Sequence, residues 1–253
     1  MLGRVARLLV FLGAIVATWQ VVTMAEIWPS FALPSPPSVL STLWENTENG
    51  RILRALAISM QRLVIGFAIS IIIGMAVGIL NGTVRGADET LGTIVLGLQS
   101  LPSVVWLPLA VLWLGLNERA IVFVVLMGSL FSISISARDG VQNISPLLKR
   151  AGQTYGATSW QMYRYVIIPG MTPSIAHGLK LGWSFAWRSL MAGELLFAGL
   201  GLGQMLNMGR DLNDMSLVLA VMLVIILVGL TMDRLVFGRL EAWVRERWGL
   251  QTS

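Results

Sequence analysis

The chain has 253 residues, 55% of them hydrophobic and 12% charged, with a mean hydropathy of +0.75. A soluble domain carries about 25% charged residues, so this composition excludes an ordinary water-soluble fold and indicates a polytopic membrane protein. The absence of cysteine and the single histidine, His177, exclude a disulfide framework and thiolate or histidine-rich metal sites, and the net charge of +5 fits basic cytoplasmic loops.

The apolar runs are continuous, as in membrane helices, where barrel strands would alternate. The expected fold class is all-α. Residues 8–25 form an uncharged run behind Arg4 and Arg7, and Glu26, Ile27 and Trp28 follow where a signal peptide would need a small-residue cleavage site. This run is the first span, with its N-terminus inside. Residues 29–37 hold four prolines, which rules out helix there, and a short outer-surface helix is expected at residues 39–44. The second span is residues 63–81. Along it Gly66, Ser70, Gly74, Gly78 and Gly82 recur at every fourth position, a stripe that lets helix backbones approach closely.

Residues 90–116 are too long for one simple span and are interrupted by Pro102 and Pro108, with Gln99, Ser100 and Ser103 at the break. A broken helix at membrane depth is tolerated where it lines a cavity or is buried in protein. A proline-kinked packing helix, its hydroxyls bonded to its own backbone, is the alternative reading. Residues 120–136 form the fourth span.

A polar, basic loop over residues 138–169 follows. Ser145 and Pro146 make a good helix start, and Gly156 can end that helix in a left-handed conformation. Thr158 or Ser159 can cap a second short helix with Trp160, Tyr163 and Ile167 on one face. The loop therefore reads as two short helices at an angle, ending at Pro169. Residues 173–197 and 216–237 are the fifth and sixth spans. The tail after Gly238, with Trp243 and Trp248 among Arg239, Arg245 and Arg247, reads as an inner-surface helix. Eleven of the 18 Lys and Arg fall in inner segments and four in outer ones, the bias of six spans with both termini cytoplasmic.

There is no GxxxxGK[ST] loop, so the chain has no ATP site of that kind. GLGLG at residues 199–203 lacks the strand-turn-helix setting of a phosphate loop and reads as a turn. The sharper signal is charge inside the fifth span. At about 100° per residue, Lys180, Arg188 and Glu194 fall within roughly 120° of one another, with Trp183, Ser184 and Trp187 on the same side. Charges in a bilayer face a polar interior. Arg188 and Glu194 are spaced so that they do not pair along the helix. Arg188 must therefore find a partner on another helix, in water or on a substrate. Two readings stand: Lys180 and Glu194 reach opposite membrane surfaces while Arg188 makes a structural ion pair, or these cations flank a water-filled path that favours a small anion. Ser174, Gly178, Gly182 and Ala186 form a second small-residue stripe, for a neighbouring helix or a symmetry mate.

The cytoplasmic loop resembles that of the permease subunits of bacterial ATP-binding cassette importers, in the branch handling sulfonates, taurine, nitrate and bicarbonate. The family hallmark is Glu-Ala-Ala, three residues, Gly, nine residues, then Ile-x-Leu-Pro. Here Arg150-Ala151-Gly152, Gly156 and Val166-Ile167-Ile168-Pro169 keep that spacing, with arginine in place of the glutamate and glycine in place of the second alanine. Leu33-Pro34-Ser35-Pro36, Ser100-Leu101-Pro102 through Gly115, Gly178-Leu179-Lys180, Ala186-Trp187 and Glu194 are similar to further family segments. The resemblance covers most of residues 33–235.

It implies a type I importer permease whose loop helices dock on a separate ATPase, with Arg150, Ala151, Gly152, Gly156, Ala157 and Pro169 at the coupling positions. It implies a second permease copy, two ATPase subunits holding ATP and magnesium, a periplasmic or lipid-anchored substrate-binding protein, and a place in the bacterial inner membrane among lipid. No cofactor in this chain, no catalytic residue and no nucleic-acid partner are expected. The expected substrate path involves Gln99, Ser100, Ser103, Lys180, Ser184, Arg188 and Glu194. The rival readings are a stand-alone anion channel or secondary carrier, and a membrane-embedded hydrolase, the last weakened by the single histidine.

Overall fold

Every regular element among the described residues is a helix, the form in which a chain satisfies its own backbone polar groups in lipid. A computed structural model describes residues 2–197 and 199–248, with the side chains of residues 2–5 and 8 outside the description, so the expectation placed on Arg4 falls outside it. In chain order the helices are α1 (Leu2–Met24), α2 (Pro36–Glu48), α3 (Arg51–Thr83), α4 (Arg85–Gln99), α5 (Ser103–Leu114), α6 (Glu118–Gln142), α7 (Pro146–Thr154), α8 (residues 159–170), α9 (Thr172–Glu194), α10 (Leu202–Asp211) and α11 (Met215–Arg247). They divide into two compact units, one made of the chain up to Ser59 with the stretch ending at Leu227, the other of Met60–Phe197 with the stretch from Val228 on.

In the first unit α1 presents Leu9, Phe11, Ile15 and Val21 outward, an apolar surface suited to lipid. Its Thr18 and Thr23 hydroxyls donate to Ala14 O and Gln20 O on their own helix, both at 2.8 Å, which spares them a polar partner elsewhere. The indole of Trp19 donates to Pro34 O at 3.1 Å and ties the following loop back to α1. The four prolines do not exclude helix from all of residues 29–37. Pro36 and Pro37 occupy the first turn of α2, where the missing N–H would lack an intrahelical partner anyway. The short helix expected at residues 39–44 is thus longer, running from Pro36 to Glu48. The glycine-rich stretch at 199–203 is only partly a turn, because α10 begins at Leu202, whose N–H donates to the buried Ser59 Oγ at 3.0 Å. Asp214 then caps α11, its Oδ1 accepting from Leu217 N at 3.0 Å.

The second unit is organised around α6. The glycine stripe of α3 lies against it: a methyl at Gly66 would fall 2.7 Å from Val125 Cγ1, and one at Gly82 would fall 2.6 Å from Val141 Cβ. Ser70 in the same stripe donates to Gly66 O at 2.8 Å and accepts from Ser129 Oγ at 2.7 Å. The stripe of α9 lies against α6 as well, with Gly178 against Ser136 and Gly182 against Ile133. The partner of that second stripe is therefore a neighbour in the same chain. Trp183 meets Phe67 edge-on, centroids 5.5 Å apart, and Phe237 at the same distance.

The remaining differences from the expected segments lie at helix ends. α3 begins at Arg51, ahead of the apolar stretch that starts at Leu63. Residues 138–142 belong to α6, so the polar loop is shorter than 138–169. Pro169 does not end it either: Met171 N donates to Ile167 O at 3.0 Å, and α8 leads almost directly into α9. Pro108 interrupts nothing, because it sits in the first turn of the helix Leu107–Leu114. The basic tail is continuous with the sixth apolar run through a π-turn at Met232–Phe237. Among the described residues three helices are long and apolar enough to cross a membrane, α3, α6 and α11, or four if the bent pair α4–α5 counts as one span. The apolar part of α1, Leu9–Met24, is shorter, and α9 has the length but carries Lys180, Arg188 and Glu194.

Candidate functional site

The loop between α6 and α9 is built by local rules. Asn143 leaves α6, and Ser145 Oγ accepts from Leu147 N at 3.3 Å to cap α7, with Pro146 in its first turn. The helix ends in a Schellman arrangement. Ala157 N donates to Gly152 O at 3.0 Å and Gly156 N to Gln153 O at 2.9 Å, with Gly156 at φ +72°. Thr158 then opens α8 with a reciprocal capping box: its Oγ1 accepts from Gln161 N at 3.3 Å while Gln161 Oε1 accepts from Thr158 N at 2.8 Å. Gly152 lies where α7 crosses α8, and a methyl there would sit 2.8 Å from Met162 Cε.

Underneath, Ala137, Val141, Ile144, Ile167 and Met171 form a buried cluster that seats the loop on α6. Lys149 Nζ donates to Val141 O at 3.1 Å. At the nearby end of α4, Arg138 grips Asp88, with Nη2 to Oδ2 at 2.8 Å and Gln142 Nε2 to the same oxygen at 3.0 Å. Outward, Leu147, Leu148, Tyr155, Trp160 and Tyr165 are exposed beside exposed Arg150 and Arg164, and Tyr155 keeps 90% of its surface. A polar loop so thoroughly hydrogen-bonded, yet crowned by apolar side chains, has the character of a docking surface. Of the six positions expected to couple to an ATPase, Arg150 and Gly156 are exposed, while Ala151, Gly152, Ala157 and Pro169 are half-buried. Of the three residues expected on one face of the second helix, Ile167 is buried, Tyr163 half-buried and Trp160 exposed.

The residues expected on the substrate path are distributed unevenly. Gln99, Ser100 and Ser103 meet at the break, where α4 and α5 are bent by 102°, and line a cavity of about 160 Å3 with Gly128, Phe131 and Phe185. Arg188 is exposed on α9, its guanidinium stacked 5.1 Å over the Phe185 ring and its Nε donating to Ser184 O at 3.1 Å. Lys180 lies toward the start of α9 and is held by Glu241 at 3.2 Å and Asp233 at 3.8 Å, with His177 Nδ1 3.3 Å from the same Glu241. Ser184 Oγ donates to Lys180 O at 3.2 Å. Glu194, about 21 Å further along the helix, is 1% exposed and bound by Arg62 Nη1 at 2.9 Å, while Arg62 Nη2 holds Glu118 at 2.8 Å.

Thus the geometry gathers Gln99, Ser100, Ser103 and, through Phe185, Arg188, and it leaves Lys180 and Glu194 in ion pairs with other elements. Glu194 is buried in an ion pair with Arg62, whereas Arg188 makes no ion pair among the described residues. The sequence reading left Arg62, Glu118, Asp233 and Glu241 without roles. The missed signal was Arg62 itself, a lone charge at the head of an apolar run, which requires a partner. Among the described residues no group of three or more His, Cys, Asp or Glu stands close enough to hold a metal ion.

A family model described as binding-protein-dependent transport system inner membrane component matches residues 70–245. The chain is 31% identical over 219 residues to the Escherichia coli (strain K12) protein named putative aliphatic sulfonates transport permease protein SsuC, covering 87% of this chain and 83% of that one. It is 31% identical to the E. coli taurine transport system permease protein TauC, over 89% and 84% of the two chains. The nitrate import permease protein NrtB of Synechocystis sp. (strain PCC 6803) is 26% identical, over 92% and 87%. Among solved structures, an inward-facing MetNI methionine ABC transporter aligns with a TM-score of 0.67 at 19% identity, over 76% of this chain and 95% of that one. An amino acid ABC transporter solved with histidines aligns at 0.63 and 17%, over 81% and 97%. At these identities the two structures show the fold alone.

Proposed function

We propose a function from one premise: the chain belongs to the family of binding-protein-dependent transport system inner membrane components. It is the membrane-spanning subunit of an ATP-driven importer, and its cargo is a small anion of the sulfonate, taurine or nitrate kind. Two copies form the path between them, each with six spans and both termini in the cytoplasm of a bacterial inner membrane. Two separate ATPase subunits carry ATP and magnesium, and a substrate-binding protein loads the outer face.

The observation that carries this reading is the α7–Gly156–α8 loop. Caps at Ser145 and Thr158 and the turn at Gly156 make it rigid enough to transmit force, and its exposed apolar crown supplies a surface for an ATPase groove. ATP-driven approach of the two ATPases moves these loops as rigid bodies and switches the path from one face of the membrane to the other. The cavity at the α4–α5 break and the exposed Arg188 support an anion as cargo.

The test is uptake into liposomes that hold this chain with its ATPase, supplied with loaded binding protein and radiolabelled taurine, methanesulfonate or nitrate. Uptake of one of these that needs ATP on the ATPase side is expected. Equal uptake by the chain alone, without ATPase or ATP, would make it a channel or secondary carrier and overturn the importer reading.

A further inference from the structure

The chain bends by 102° between α4 and α5, and a break of this kind is tolerated in a membrane only where it lines a cavity or is packed in protein. Here it lines a cavity, and the polar groups around that cavity differ in what they are committed to. Ser100 Oγ donates to Gly97 O at 2.7 Å and Ser132 Oγ to Ser129 O at 2.9 Å, so both hydroxyl protons are spent on their own helices. The side chains of Gln99 and Ser103 make no hydrogen bond to another described residue, and no carboxylate lines the cavity. At its back Gly128 is closely packed: a methyl there would collide with Ser189 Oγ and lie 3.4 Å from Ser103 Cβ. Arg188 stacks over Phe185, a wall of the cavity, and its terminal guanidinium nitrogens have no partner among the described residues.

We infer that this cavity is a size-limited anion subsite, with Gln99 and Ser103 as donors and Arg188 as the cation at its rim. The inference rests on the importer reading and gives the path its ligand chemistry. The amide and hydroxyl hydrogens point the site to oxygen acceptors, the guanidinium selects negative charge, and Phe131 and Phe185 provide apolar walls for a short tail. Its volume of about 160 Å3 corresponds to about five water molecules and falls below the ~300 Å3 at which pockets for drug-sized ligands begin. A compact oxyanion with a one- or two-carbon tail fits within this volume, and an eight-carbon chain exceeds it.

The experiment exploits the absence of cysteine from the sequence. Ser100→Cys places one thiol of this chain on the cavity wall, with Leu101→Cys as a second reporter on the same wall. The permease–ATPase complex in lipid nanodiscs is alkylated with uncharged iodoacetamide, and modification of this chain is followed by mass spectrometry. Methanesulfonate is expected to slow alkylation saturably by at least tenfold, whereas its neutral analogue dimethyl sulfone and the long-chain octanesulfonate at the same concentration leave it unchanged. Adding Arg188→Gln raises the half-protecting concentration at least tenfold, Arg188→Lys restores most of the protection, and Gln99→Glu removes it. Equal protection by the sulfone, protection indifferent to Arg188→Gln and Gln99→Glu, or no protection by methanesulfonate in a complex that retains its ATPase overturns the subsite and leaves the importer reading standing. A wild-type preparation that carries no ATPase overturns the importer reading, and the subsite with it.

Discussion

At the level of single residues, charge inside the apolar part of the chain is handled in two ways. Arg62 and Glu194, 4% and 1% exposed, neutralise one another, and Glu118 takes the second arm of the guanidinium. Truncating one member of a buried pair strands the other charge at a cost of about 3–5 kcal/mol, while replacing both by apolar residues is often neutral. Arg62→Met is therefore expected to lower the thermal midpoint of the detergent-solubilised chain sharply, and Arg62→Met with Glu194→Met to recover most of the loss. Additive destabilisation in the double variant would contradict the pairing. Arg188 is handled differently: it is exposed and stacked on Phe185. Arg188→Ala should impair uptake while the complex still assembles, as judged by gel filtration, and a variant that fails to assemble would give this arginine a structural role. Gly156 sits at φ +72°, where a β-branched residue costs about 1–3 kcal/mol. Gly156→Val should cut the stimulation of ATP hydrolysis by loaded binding protein at least tenfold, and unchanged coupling would sink the force-transmitting role of the loop.

At the level of helices, the second unit depends on close backbone approach. A methyl at Gly78 would meet Ser134 O, Ser134 C and Ala137 Cβ, the last at 2.6 Å, so Gly78→Leu would have to push α3 off α6. Overpacking of this kind costs about 1–3 kcal/mol, and the variant should unfold at a lower denaturant concentration than wild type. An unchanged midpoint would mean that the stripe does not set the distance between these helices. Both small-residue stripes were legible in the sequence because their spacing is a helix property, and so were the caps at Ser145 and Thr158 and the turn at Gly156, which rest on bonds within a few residues. Helix ends were less legible. Pro36, Pro37 and Pro108 resemble helix breakers in a sequence yet stand in first turns, where proline is harmless. The α6 end at Gln142 was hidden because Arg138 and Asp139 look like loop residues until Asp88, fifty positions earlier, is seen to hold the arginine. The ion pairs of Glu194 and Lys180 join residues 132 and 61 positions apart, a separation no local pattern reveals.

At the level of the whole molecule, the orientation in the membrane and the dependence on partners carry the functional account. Because the chain lacks cysteine, single thiols report topology without a background from this chain. Asn49→Cys is expected to react with a membrane-impermeant maleimide from outside intact cells, and Gln153→Cys only after permeabilisation, because the proposed function has the α7–α8 loop meet an ATPase inside the cell. Labelling of both from outside would reverse the orientation. In the proposed function this chain is a permease moved by a separate ATPase through the α7–Gly156–α8 loop. The most direct test is to purify the tagged chain from its own host in mild detergent and identify by mass spectrometry what accompanies it. An ATP-binding cassette ATPase in about equal amount, lost from the Gly156→Val preparation or retained there without coupling, is the predicted result. A wild-type chain that purifies alone and conducts or exchanges anions in liposomes without an ATPase would instead be a channel or secondary carrier.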